Sequence, residues 1–101
     1  ELTVADCCYK AALEFQKLGG SKMVKNAKTC FELAGTAYLS SLRSDALGDQ
    51  RILKRAVACL TKRAEKFDKC VNLLVSRGRT RHALKLLHEQ KKYDAALDLV
   101  Q

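Results

Sequence analysis

His82 and His88 are the residues of this chain best suited to carry a proton, and Cys7, Cys8, Cys30, Cys59 and Cys70 could supply thiolates. On one helix the two histidines stand at i and i+6, which points them about 120° apart, so they form no acid–base pair. The cysteines are odd in number, lack the CxxC spacing of a tetrahedral zinc site and sit among apolar residues. They read as small buried hydrophobes of a reducing compartment, with Cys7-Cys8 as the candidate reactive pair and Lys10 as its nearest cation. No GxSxG, HExxH or phosphate-binding glycine loop occurs. The expectation is a chain that is not an enzyme and needs no cofactor or metal.

The remaining candidates are cations. Residues 1–50 carry six Lys/Arg and six Asp/Glu, whereas residues 51–101 carry thirteen Lys/Arg against five Asp/Glu, so the whole net charge of +8 belongs to the second half. The candidate contact residues form three groups: Lys62, Arg63 and Lys66, then Arg77, Arg79 and Arg81, then Lys91 and Lys92. Cations in a last helical turn are favoured by the helix C-terminus, which gives these groups a structural reading. Their functional reading is a surface for phosphates or for an acidic protein partner. Successive turns of an up-down helical array alternate between edges. The first and third groups would then share one edge and the second would lie on the other. Aromatics for base stacking are scarce, since Phe67 and Tyr93 fall at core positions of the pattern described next.

That pattern runs from Phe67 to Gln101 with a period of thirteen residues. Phe67, Cys70, Val71, Leu73 and Leu74 recur as Thr80, Ala83, Leu84, Leu86 and Leu87, and again as Tyr93, Ala96, Leu97, Leu99 and Val100. The first, fourth, fifth and eighth positions of each copy line one face of a helix. Each copy is thus a helix of about ten residues and a turn of about three, with Gly78 as a permitted stop in the second turn. Helices this short are marginal alone and must stack on their neighbours. Small residues at the fourth position, Cys70, Ala83 and Ala96, allow close approach.

Towards the N-terminus, Thr3 and Asp6 resemble a capping box. The helix that follows carries a stripe of Val4, Cys8, Ala11, Ala12, Phe15 and Leu18 and ends at Gly19-Gly20. Tyr9-Lys10-Ala11-Ala12-Leu13 reads like Tyr93-Asp94-Ala95-Ala96-Leu97, an outlying copy of the repeat. Ser21 caps a second helix to Ala34, with Val24, Ala27, Phe31 and Ala34 on one side and Cys30 and Leu33 beside them. Gly35-Thr36 is either a turn or a tolerated glycine within a long helix; the turn is the favoured reading, followed by a third segment from Ala37 to about Leu42 with Tyr38, Leu39 and Leu42. An irregular loop is expected between Ser44-Asp45 and Gly48-Asp49. From Asp49 as cap, Ile52, Leu53, Ala56, Val57, Leu60 and Ala64 form another amphipathic helix. Val57, Ala58 and Leu60 precede Cys70, Val71 and Leu73 by one period, which puts a turn near Arg63 to Lys66.

The absence of proline, five glycines and 48% hydrophobic residues suit helices throughout. No apolar run approaches the roughly 20 residues of a membrane span, so no membrane insertion is expected. Residues 1–101 are expected to form one helical-repeat domain, a piece of a longer chain, at work inside the cell in cytoplasm or nucleus.

Lys28-Thr29-Cys30-Phe31-Glu32-Leu33-Ala34-Gly35, followed by Ala83-Leu84-Lys85-Leu86-Leu87 and Tyr93-Asp94-Ala95-Ala96-Leu97, resembles a known kind of helical array. It is similar to the tetratricopeptide-like region of large tetratricopeptide- and ankyrin-repeat proteins that also carry a UvrD-like helicase. Similar phrases occur in clathrin-like and intraflagellar-transport solenoids. Two thirteen-residue units give about 26 residues against about 34 for a tetratricopeptide repeat, whose Trp and terminal Pro are also missing here. The resemblance implies an all-α, tetratricopeptide-like α-solenoid of about six or seven short antiparallel helices. It also implies a scaffold for a protein partner or for neighbouring domains of the parent chain, with nucleic acid as the alternative partner of residues 51–101. No Walker motif is present, so no helicase activity is implied for these residues.

Overall fold

The computed structural model describes residues 2–42 and 47–100, and within them every element is helical. In chain order these are α1 (Leu2–Leu18), α2 (Ser21–Ser40), α3 (Leu47–Ala58), a π-helical turn (Cys59–Arg63), α4 (Phe67–Ser76), α5 (Thr80–Glu89) and α6 (Tyr93–Val100). The expected loop between Ser44-Asp45 and Gly48-Asp49 lies partly outside the described residues. The backbone is already helical from Leu47, so Asp49 falls inside α3 and does not cap it. The chain divides into two compact units, Glu1–Phe67 and Asp68–Gln101.

In the first unit α1 and α2 pack as a hairpin through Gly19 and Gly20, both at positive φ. The pairing is antiparallel: the Tyr9 ring meets Phe31 edge-on at 5.9 Å, and near the start of α1 Asp6 accepts a hydrogen bond from the Tyr38 hydroxyl near the end of α2. Thr3 and Asp6 therefore form no capping box, because α1 begins before Thr3 and the Asp6 carboxylate is committed to Tyr38. Ser21 is likewise the first helical residue, behind a Gly20 cap that has no side-chain hydrogen bond. At 17 and 20 residues, α1 and α2 are long rather than short.

The buried face of α1 is rotated from the expected stripe. Ala5 and Ala12 are buried with Tyr9 and Leu13 packed close by, whereas Val4 and Leu18 are 55% and 72% exposed. The small residues win this face because α2 approaches closely and brings Phe31 and Tyr38 into the space they leave. On α2, Ala27, Phe31 and Ala34 are buried as expected, while Val24 and Leu33 face outward.

No turn occurs at Gly35-Thr36; α2 runs through both residues to Ser40. Gly35 is buried where α2 meets α3 and the π turn. A Cβ on it would stand 2.5 Å from Leu60 Cγ and 3.1 Å from the Ala56 carbonyl oxygen. The glycine serves as a crossing point for two helices, and the lost helix propensity of about 1 kcal/mol is the cost of that approach.

The expected turn near Arg63 to Lys66 is present after the π turn. The register before it, however, is shifted by one residue. Lys66 N–H reaches back six residues to Leu60 O (2.7 Å), whereas its counterpart Arg79 N–H reaches back five to Leu74 O (2.8 Å). Leu53, Ala56, Leu60 and Ala64 of the expected stripe are buried and Ile52 and Val57 half-buried. The extra residue in the wider π loop, however, aligns Ala56 and Leu60 with Cys70 and Leu74 of the next copy, in place of Val57 with Cys70 and Leu60 with Leu73. Tyr9 sits in the middle of α1 while Tyr93 opens α6, so the outlying N-terminal copy shares its residues with the repeat but not its place in a helix.

In the second unit the period is exact: α4, α5 and α6 begin at Phe67, Thr80 and Tyr93. Their turns repeat the same hydrogen bonds. Gly78 N–H donates to Val75 O (3.0 Å) and Arg79 N–H to Leu74 O, while Lys91 N–H donates to His88 O (3.0 Å) and Lys92 N–H to Leu87 O (2.8 Å). This is the Schellman ending, which needs a left-handed residue at its fifth position. Glu65, Gly78 and Lys91, thirteen residues apart, all have positive φ, at 58°, 76° and 59°.

Candidate functional site

The three basic groups are positioned by these turns. Lys66, Arg79 and Lys92 each follow a left-handed residue and stand beside the C-terminal carbonyls of the preceding helix, where a cation is favoured. Within the second unit, Arg77, Arg79 and Arg81 surround the start of α5, while Lys91 and Lys92 follow its end. At 1.5 Å per residue the ten residues of α5 separate these groups by about 15 Å. The repeat thus keeps them at opposite ends of one helix instead of in one groove.

In the first unit Lys62 is exposed on the π turn, and Arg63 is engaged with its own fold. The Arg63 guanidinium lies 5.0 Å over the Phe31 ring and donates to Gln16 Oε1 at 3.1 Å. Nearby, Lys28 Nζ donates to Glu65 Oε1 at 2.6 Å, which ties the left-handed turn residue to α2 and holds the Glu65 carboxyl below its usual pKa.

A cluster that the sequence reading missed joins α1, α2 and α3. Tyr38 is buried, its hydroxyl donates to Asp6, and the Arg55 guanidinium lies 4.9 Å from the centre of the Tyr9 ring and 5.9 Å from that of Tyr38. Burial, with the Asp6 hydrogen bond second, raises the Tyr38 pKa. The signal was present: a tyrosine on an apolar helix face needs a partner for its hydroxyl, and three such helices leave few candidates. The cluster binds three helices together and leaves its charged atoms committed to one another.

The thiols follow the packing expectation in part. Cys59 and Cys70 are buried, and burial pushes the Cys70 thiol up to about 11; Cys7 is exposed and Cys8 half-buried. His82 and His88 are exposed, and His88 meets the Tyr93 ring edge-on at 5.7 Å. Among the described residues no group of three His, Cys, Asp or Glu is placed to hold a metal ion, and no helix is long and apolar enough to cross a membrane.

Two surfaces of the second unit stand out. The first is the repeat face itself. In α4 it holds the buried Cys70, Val71 and Leu74, and in α5 the buried Ala83 and Leu87. In α6 the positions equivalent to Val71 and Leu74, Leu97 and Val100, are 55% and 63% exposed, and Tyr93, equivalent to the half-buried Phe67 and Thr80, is 56% exposed. The expectation that Tyr93 is core is thus overturned, and in α6 Ala96 and Leu99 are the half-buried repeat residues. The second surface is a groove of about 510 Å³ among α4, α5 and α6, with Val71, Val75, Leu87 and Leu99 among its walls and Asp68 and Asp98 on it. Comparison with protein-family models, curated proteins and solved structures finds no match to this chain.

Proposed function

We propose that this chain is a non-enzymatic interaction scaffold, a tetratricopeptide-like solenoid segment that works inside the cell by docking another polypeptide. The observation that carries this reading is the line Tyr93, Leu97 and Val100 on α6, an apolar face with helical spacing that is more than half exposed at every position. Contiguous exposed apolar faces of this kind mark contact surfaces on soluble proteins, and the equivalent faces of α4 and α5 are covered. The alternative, a nucleic-acid surface built on Lys62, Arg63, Lys66, Arg77, Arg79, Arg81, Lys91 and Lys92, is weakened by the engagement of Arg63 with Phe31 and Gln16 and by the separation of the groups along α5.

Affinity capture of polypeptides by the wild-type chain, by Leu97→Asp and by the triple Arg77, Arg79, Arg81→Gln variant tests the two readings together. Docking through α6 predicts polypeptides that are retained by the triple variant and lost by Leu97→Asp. A capture profile insensitive to Leu97→Asp refutes the scaffold reading at this face. Nucleic-acid binding that falls steeply with salt and disappears in the triple variant would replace it with the alternative.

A further inference from the structure

We propose that the groove among α4, α5 and α6 receives a short amphipathic helix of another polypeptide, apolar on its inserted face and flanked by Lys or Arg; this rests on the scaffold reading and names the partner's chemistry. The apolar walls come from Val71 and Val75 on α4, Leu87 on α5 and Leu99 on α6, and an amphipathic helix laying one apolar face into a groove between helices is a recurrent way to fill such walls. At about 510 Å³ the groove has room for several leucine-sized side chains rather than one.

The charge on the groove sets the sign of the partner. Residues 68–101 carry seven Lys/Arg and four Asp/Glu. None of the seven cations lines the groove, whereas two of the four acids, Asp68 and Asp98, do. In a strongly basic unit this is a segregation of charge, and it makes the groove the place where a cationic segment is attracted rather than repelled. Asp68 lies in the first turn of α4, where an acid is favoured, whereas Asp98 occupies the mid-helix repeat position that Asn72 holds in α4 and Lys85 in α5, so helix-end electrostatics does not account for it.

The test is selection of 18-residue helical peptides displayed on phage, with Leu fixed at i, i+4 and i+7 and the other positions randomised, against the full 101-residue chain. The proposal predicts enriched peptides rich in Lys and Arg. Synthetic versions should bind the Asp68→Lys, Asp98→Lys variant at least tenfold more weakly, and Ala95→Trp, which fills the groove, no better than background. The charge variant alters only exposed side chains and keeps the test decisive if Ala95→Trp perturbs folding. Enriched peptides that are acidic or uncharged, peptides that bind the charge variant equally well, or no enrichment at all would each overturn the groove proposal. Peptides that ignore both groove variants but are lost with Leu97→Asp would overturn it while leaving the scaffold reading in place.

Discussion

Replacing Gly35 with alanine sets two effects of opposite sign against each other, and the structure decides between them. In a helix interior the change gains about 1 kcal/mol of intrinsic propensity. The new methyl, however, would meet Leu60 Cγ at 2.5 Å and the Ala56 carbonyl oxygen at 3.1 Å. Neither neighbour yields cheaply: Cγ is the branch point of a side chain that is 0% exposed, and the other atom is backbone. Overpacking of this kind costs roughly 1–3 kcal/mol, with this site towards the upper end. The net expectation is a loss of about 1–2 kcal/mol, which for a domain of this size lowers Tm by roughly 5–15 °C in a thermal melt followed by circular dichroism. A double-mutant cycle sharpens the test. Leu60→Ala alone should cost about 2–5 kcal/mol, but with Cγ gone Gly35→Ala should become neutral or stabilising in that background. A Gly35→Ala protein that melts higher than wild type, or changes that simply add, would refute a close approach of α2 and α3 at this point.

The left-handed turns make a second prediction, because Lys91 holds at φ 59° what Gly78 holds at φ 76°: Lys91→Gly should stabilise by about 0.5–1 kcal/mol and Gly78→Ala should destabilise by a similar amount, read as urea midpoints moving in opposite directions. Cys70, whose thiol pKa burial raises to about 11, supplies stability that is complete below the ordinary thiol pKa and is lost as pH rises towards that value. The gap in Tm between wild type and Cys70→Ala should therefore narrow from pH 8 to pH 10.5, and a constant gap would show that this thiol does not titrate with folding.

The thirteen-residue period was the most legible feature of the sequence, since three helices begin on schedule at Phe67, Thr80 and Tyr93. It was legible because apolar spacing and a turn of fixed length are both written in residue types. The left-handed residue in each turn was legible only at Gly78. Glu65 and Lys91 adopt the same conformation without the residue that announces it. The shifted register before α4 was hidden for a related reason: a π turn needs no diagnostic residue, and Val57, Ala58 and Leu60 fit an α-helical pattern equally well. Gly35 was misread because local signals give glycine two meanings, a stop or a close approach, and only the partner helix distinguishes them. The exposed face of α6 was beyond local reading altogether. Its residues match the buried ones of α4 and α5, and coverage is a property of neighbours rather than of the helix that carries the residues.

The basic second half is better understood through the same turns. Each left-handed turn, the π-type ending at Glu65 and the Schellman endings at Gly78 and Lys91, leaves carbonyls at a helix C-terminus, and the residue after the left-handed position is Lys66, Arg79 or Lys92 in successive copies. Repeating the turn repeats the demand for a cation, so part of the +8 charge follows from the architecture and requires no ligand to explain it. The groove acids stand apart from this. Asp98 occupies the mid-helix position that Asn72 holds in α4 and Lys85 in α5, where no turn asks for a charge, and it lies on the groove wall with Leu99. Under the groove proposal, that placement makes the groove, rather than the more numerous cations, the better guide to a partner's chemistry.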